Sequence, residues 1–194
     1  MTKGRLEAFS DGVIAIIITI MVLELRPPDE PSLDALIKMA PALTSYLLSF
    51  VMLGIYWNNH HHLLQATTQV DGKVLWANLH LLFWLSLTPI STAWMGKTEF
   101  AAWPVAIYGI VMLLAGIAYY ILSRVLISLH GERSVLADAV GRDFKGIASI
   151  LLYVAAVPAA FLSPWISIAL YVIVAVIWLI PDRRIEEKLT SGEP

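Results

Sequence analysis

The 194-residue chain is 58% hydrophobic and only 14% charged, whereas a soluble domain carries about 25% charged residues. This composition is typical of an all-α polytopic membrane protein. The net charge of −2 gives no reason to expect a nucleic-acid partner, and the absence of cysteine excludes disulfides and thiolate-bound metals.

Six apolar segments are predicted to cross a bilayer, whose core needs about 20 residues of helix, with a range of about 17–25. The uncharged run 146–181 would be about 54 Å long as one helix, against a core of about 30 Å. It is therefore expected to break before Pro164, which has no N–H donor and disfavours helix at Ser163. The prediction is one six-span domain over residues 1–194, with spans at about 4–25, 39–64, 73–96, 100–124, 145–162 and 164–181.

The distribution of Lys and Arg predicts the orientation. With the N-terminus inside, only Arg26, Lys38 and Lys97 fall on outer segments, and positive residues favour the cytoplasmic side. We therefore expect an integral protein of the plasma or inner membrane, surrounded by the lipid bilayer, with both termini cytoplasmic. The longest polar connection, about 130–145, is too short for a domain and there is no P-loop. Activity is therefore expected within the membrane.

Polar side chains on the first three spans converge at one depth. They are Arg5, Ser10 and Asp11 on span 1, Asn58, Asn59 and His60 to His62 on span 2, and Asn78 and His80 on span 3. A carboxylate at this depth is costly without partners. One interpretation is a structural clasp, in which Asp11 accepts a hydrogen bond from His80 or from a histidine of 60–62. The other is a titrating proton relay or a metal site. A metal site is disfavoured, because residues 60, 61 and 62 of a helix point about 100° apart.

An apolar stripe follows on span 1. Ile16, Ile20 and Leu23 share one helical face, with Thr19 beside them. Such a stripe usually faces lipid or packs inside the bundle. The polar residues of the same span favour a position facing the bundle or a water path.

The segment "RLEAFSD" carries a family resemblance. Arg5, Phe9, Ser10 and Asp11 resemble the signature of the transmembrane protein 175 family, which comprises lysosomal potassium channels and shorter single-repeat relatives in bacteria and archaea. The six-span layout agrees with this family, and the single copy of the motif resembles the prokaryotic form.

The resemblance implies a homotetramer in which span 1 of each subunit lines a central pore. By offset from the motif, the apolar pore constrictions of the family correspond to Ile16, Ile20 and Leu23, and a polar layer beside them corresponds to Thr19. The signature residues are expected to tie span 1 to neighbouring helices in a structural network. The expected members of that network are Arg5, Phe9, Ser10, Asp11, His62, Asn78 and His80.

The predicted function is passive, potassium-preferring permeation of monovalent cations, without a cofactor and with K⁺ as the permeant ion. Glu24 is expected either to form a carboxylate ring at the outer pore end or to be an interfacial charge outside it. The alternative is a proton-coupled secondary transporter that uses Asp11 and His80 as a relay. An enzyme is not expected, because Asp11 is the only acidic residue well inside a span.

Overall fold

The computed structural model describes residues 2–131 and 144–179, and the regular elements within these ranges are all helices. In chain order they are α1 (Lys3–Leu23), α2 (Leu33–Lys38), α3 (Ala40–Gln65), α4 (Gly72–Ser86), α5 (Thr88–Lys97), α6 (Ala102–His130), α7 (Phe144–Ala159) and α8 (Pro164–Leu179). Five positively charged residues that the orientation prediction places on the inner side lie outside the described residues: Arg133, Arg142, Arg183, Arg184 and Lys188. The end of the last predicted span, at 180–181, also lies outside them.

Four apolar stretches of the described residues are long enough to cross a membrane: α1, α3, α4 with α5, and α6. The helices α7 and α8 are apolar but shorter, with 16 residues each. They are separated by the turn residues 160–162, and α8 begins at Pro164. The described residues are thus all-helical, with four stretches long and apolar enough to span a membrane, while the number of six crossings stays a prediction.

The span predicted at 73–96 is divided into α4 and α5. Leu87 separates them, and its backbone N–H donates to Trp84 O in a tight turn. Pro89 lies in the first turn of α5; it has no N–H to donate to the carbonyl one turn earlier. The sequence prediction of one continuous span missed this interruption.

The helix α6 is central in the bundle, since it packs against α4, α5, α7 and α8, while α1 packs against α3, α4 and α5. One apolar core joins α1, α3, α4 and α6, and a second joins α3, α5, α6, α7 and α8. In the second core Gly109 lets Tyr171 approach α6, because a Cβ at Gly109 would overlap the Tyr171 hydroxyl. That hydroxyl donates to Val105 O at 2.9 Å.

The α3–α4 connection is held at the C-terminal end of α6. His130 Nε2 accepts hydrogen bonds from the backbone N–H groups of Thr68 and Gln69, at 3.0 and 3.2 Å. Its Nδ1–H donates to Leu126 O at 2.9 Å. Lys3 Nζ also reaches Gln65 O, at 3.0 Å. The start of α1, the end of α3 and the end of α6 therefore meet at one end of the bundle.

Candidate functional site

The helix α1 has two distinct faces. Its buried face packs into the bundle and consists of Leu6, Ser10, Ile14, Ile17 and Met21. On the opposite side Ile16, Ile20 and Leu23 are 59%, 42% and 78% exposed. The stripe that sequence spacing identified is therefore the part of α1 that its own chain leaves uncovered.

Thr19 and Glu24 accompany this exposed stripe. The Thr19 hydroxyl donates to Ile16 O at 2.9 Å, so its oxygen keeps lone pairs that can accept from water or face a cation. Glu24 is exposed at the C-terminal end of α1. Beside the stripe, Ile16, Ile20 and Glu24 line an open groove with Ile90 of α5. The exposed face of α1 is thus apolar along its length and polar at its C-terminal end.

A buried chain of hydrogen bonds fastens the other face of α1. Asn78 Nδ2 on α4 donates to Ser10 Oγ at 2.9 Å, and the Ser10 hydroxyl donates to Leu6 O at 2.9 Å. The amide oxygen of Asn78 therefore faces His60 on α3, whose Nε2 lies 2.7 Å away and donates to it. Ser10, His60 and Asn78 are all buried, and the chain joins α1, α3 and α4.

These three residues satisfy one another in a low-dielectric interior. A buried donor or acceptor without a partner costs about 1–3 kcal/mol. All three side chains are on helices that also contribute to the first apolar core, which includes Leu6, Ile14 and Leu81. The network therefore fixes how α1 is rotated and seated against α3 and α4. That rotation in turn determines which residues α1 exposes.

Asp11 lies at the edge of this cluster with a different partner. Trp57 Nε1–H on α3 donates to Asp11 Oδ1 at 3.0 Å, and the indole of Trp57 stacks on His61. The predicted hydrogen bond from a histidine to Asp11 is therefore wrong, and Trp57 is the donor instead. One residue along a helix rotates the side chain by about 100°, so Ser10 points into the bundle towards Asn78 while Asp11 points to the half-exposed rim where Trp57 lies.

The other expected members of the network lie apart from it. His80 is exposed and its Nε2 accepts from Trp84 Nε1–H on the same helix, at 2.9 Å. His62 Nδ1 is buried without a hydrogen-bond partner among the described residues. Arg5 and Phe9 are exposed. Of the predicted set, Ser10 and Asn78 join the buried chain, Asp11 contacts α3 through Trp57, and His80 and His62 do not bond to either.

Sequence reasoning missed Trp57, and of the three histidines it placed His62 in the network, whereas the structure places His60 there. Trp57 carries an obligatory N–H donor one helical turn before His60 and His61, which was the available signal. His60 is the histidine that shares the buried face of α3 with Leu53, Leu63 and Leu64. The spacing of these leucines could have identified it.

Known proteins resemble this chain over its whole length. A family model described as "Endosomal/lysosomal potassium channel TMEM175" matches residues 5–89, which include the signature and the buried hydrogen-bond chain. A protein from Chryseobacterium sp. that is named a potassium channel is 56% identical over 99% of this chain and 100% of its own length. The chain belongs to the TMEM175 family.

Two further relatives of this TMEM175-family chain are informative. The crystal structure of a protein described as a lysosomal potassium-selective channel TMEM175 homolog from Chamaesiphon minutus superposes with a TM-score of 0.80 at 26% identity, covering 94% of this chain and 97% of that one. A Gallus gallus protein named an endosomal/lysosomal proton channel is 31% identical over 52% of this chain and 22% of its own length.

The family identified from "RLEAFSD" is thus confirmed, and it is a family of membrane channels rather than a class of enzymes. Together with the long apolar helices, membership makes this chain an integral membrane protein of a channel family.

Proposed function

We propose that this protein is a potassium-preferring cation channel. Four copies assemble around a central pore that α1 of each copy lines. Each copy crosses the cell membrane six times, with both termini in the cytoplasm. The names of the relatives from Chryseobacterium and Chamaesiphon support the ion preference. The observation that carries the pore assignment is the exposure of Ile16, Ile20 and Leu23 on a helix that is otherwise packed against three others.

Apolar rings account for conduction without a carbonyl-lined filter. Ile16, Ile20 and Leu23 of four subunits face one another across the axis, and such rings close by dewetting when narrow and pass partly hydrated ions when wider. Preference for K⁺ over Na⁺ then rests on the lower cost of stripping water from K⁺, so selectivity is modest. Thr19 hydroxyls replace part of the lost hydration next to the narrowest point.

The ends of the pore helix have separate tasks in this proposal. The buried hydrogen-bond chain through Ser10, Asn78 and His60 anchors the first half of α1. The hydrogen bond from Trp57 to Asp11 adds a second contact between this half of α1 and α3. Glu24 lies at the other end, where a ring of four carboxylates raises the local cation concentration. K⁺ is the permeant ion, and the proposal requires no cofactor.

A second candidate is proton conduction or proton-coupled transport. The Gallus gallus relative is named a proton channel, and an Asp11–His80 relay was the alternative from sequence. In the described structure Asp11 bonds to Trp57 and His80 bonds to Trp84. Because Asp11 and His80 each bond to a different tryptophan, the geometry favours a structural role for Asp11 over direct proton transfer between Asp11 and His80.

The channel proposal is tested by the reversal potential of purified protein in planar bilayers with K⁺ on one side and Na⁺ on the other. We expect ohmic currents with K⁺ preference, and we expect Ile16→Asn to lower that preference because an amide ring wets the constriction. Ile173→Asn on α8 is the matched control, since Ile173 is an isoleucine of comparable exposure, 46%, on a helix that the proposal places away from the axis. Unchanged selectivity in the Ile16 variant would remove Ile16 from the pore.

Proton coupling is tested in liposomes loaded with K⁺. The proposal predicts K⁺ efflux at equal pH on both sides whenever a K⁺ gradient exists. Efflux that requires a pH difference and saturates with K⁺ concentration would favour the proton-coupled carrier. Currents that follow the proton gradient alone would favour a proton channel.

A further inference from the structure

A small cavity lies inside the subunit, on the side of α3 that faces α6, α7 and α8. It has a volume of about 40 Å³ and is bordered by Tyr56 and Asn59 of α3, Tyr119 of α6, Ser149 and Tyr153 of α7 and Trp178 of α8. The pore stripe of α1 contributes nothing to its walls. The cavity is therefore a separate feature from the proposed conduction path.

Tyr153 contributes a buried hydroxyl to the residues that line the cavity. Tyr153 is 2% exposed, and its Oη has no hydrogen-bond partner among the described residues. The hydroxyls of two other tyrosines in the same apolar core do have partners: that of Tyr171 donates to Val105 O, and that of Tyr108 accepts from Ser49 Oγ at 3.3 Å. Buried hydroxyls are seldom left unpaired, and such a group calls for an explanation.

The remaining cavity wall offers acceptors for a bridging molecule. The Tyr56 hydroxyl donates to Met112 O at 3.3 Å, so its oxygen can still accept. Ser149 Oγ donates to Lys145 O and accepts from Trp178 Nε1, both at 2.8 Å, which leaves one lone pair. A hydroxyl oxygen has two acceptor sites in addition to its donor. Within the described part of the chain, the cavity lining thus offers the Tyr153 hydroxyl as an unpaired donor and the Tyr56 and Ser149 oxygens as acceptors.

We propose that this cavity binds ordered water that accepts a hydrogen bond from Tyr153 Oη and donates to neighbouring hydroxyl oxygens. A single water needs about 10–15 Å³ of such space and two to four polar partners; the cavity is large enough, and its lining includes the hydroxyls of Tyr153, Tyr56 and Ser149. The water joins the short pair α7–α8 to α3 and α6. It forms a hydrated contact between these helices within each subunit.

A dry cavity and a hydrated one respond in opposite ways to removal of the hydroxyl. If Tyr153 Oη is unpaired, Tyr153→Phe removes an unsatisfied buried group and leaves stability unchanged or higher. If the hydroxyl holds water, the same substitution breaks a satisfied network and lowers stability. Tyr171→Phe is the matched control, because it deletes a hydroxyl of known partner, Val105 O, from the same aromatic cluster.

The experiment measures the midpoint of thermal unfolding of the full chain in detergent, together with a high-resolution structure of the wild type. The proposal predicts a density peak about 2.7 Å from Tyr153 Oη and a midpoint for Tyr153→Phe that falls below wild type in the same direction as Tyr171→Phe. It is overturned if no peak appears at a resolution that shows other buried waters. It is likewise overturned if the Tyr153→Phe midpoint equals or exceeds that of wild type. If Tyr153→Phe does not fold, the peak alone decides.

Discussion

Replacing Asn78 by leucine tests whether the buried hydrogen-bond chain anchors the first helix. Leucine has the same branching at Cγ as asparagine, with two methyl groups in place of the amide oxygen and nitrogen, so the two hydrogen bonds to Ser10 and His60 are lost. Ser10 keeps its bond to Leu6 O. The Nε2–H of His60 is left buried without an acceptor.

The expected loss of stability follows from that single orphaned donor. Leaving a buried donor unsatisfied costs about 1–3 kcal/mol, and hydrogen bonds between membrane helices average about 0.6 kcal/mol with a maximum near 1.7 kcal/mol. We therefore expect Asn78→Leu to lower the free energy of unfolding by about 1–2 kcal/mol. Adding His60→Leu removes the orphan, so the double variant should be more stable than Asn78→Leu alone.

The assay is equilibrium unfolding in mixed micelles, followed by circular dichroism of the wild type, both single variants and the double variant. His80→Leu is the control, because His80 is exposed and bonds only within its own helix; we expect a change below about 0.5 kcal/mol. Wild-type stability of Asn78→Leu would refute the anchor. Additive losses in the double variant would refute the coupling between His60 and Asn78.

Three further predictions concern single positions. Gly109→Ala should lower the free energy of unfolding by about 1–3 kcal/mol, because the added Cβ would overlap the Tyr171 hydroxyl. Gly54→Ala is the control and should raise the free energy of unfolding, because a Cβ there would meet nothing within 4 Å. Equal effects of the two substitutions would contradict the packing argument. Asp11→Asn keeps an oxygen that accepts from the indole, so the reversal potential should stay at the wild-type value; loss of ion preference in an intact tetramer would show that Asp11 meets the ion. His130→Ala should speed hydrogen exchange at amides 68 and 69, which donate to its ring; unchanged exchange there would show that the cap is not formed.

The sequence was sufficient to predict features that depend on a single helix. The i, i+4, i+7 spacing along α1 grouped Ile16, Ile20 and Leu23 on one face, and the structure leaves all three exposed on that helix. Pro164 marked the start of α8 because a residue without an N–H fits the first turn of a helix. These inferences need only helix geometry and the chemistry of the residue itself.

Partner choice between helices could not be predicted in the same way. The sequence placed Asp11 at the depth of the histidines of span 2, but the rotation of α3 decides which side chain of that helix reaches it. The structure points His60 at Asn78 and Trp57 at Asp11. The interruption at Leu87 was likewise hidden, because an uncharged run looks the same whether it is one helix or two.

The central claim is that α1 faces the axis of a channel, and a structure of the assembly in lipid nanodiscs tests it most directly. The proposal predicts four-fold symmetry, with α1 the helix nearest the axis and the side chains of Ile16, Ile20 and Leu23 directed at it. An assembly in which another helix lines the axis, or in which Ile16 and Ile20 contact lipid, would contradict it.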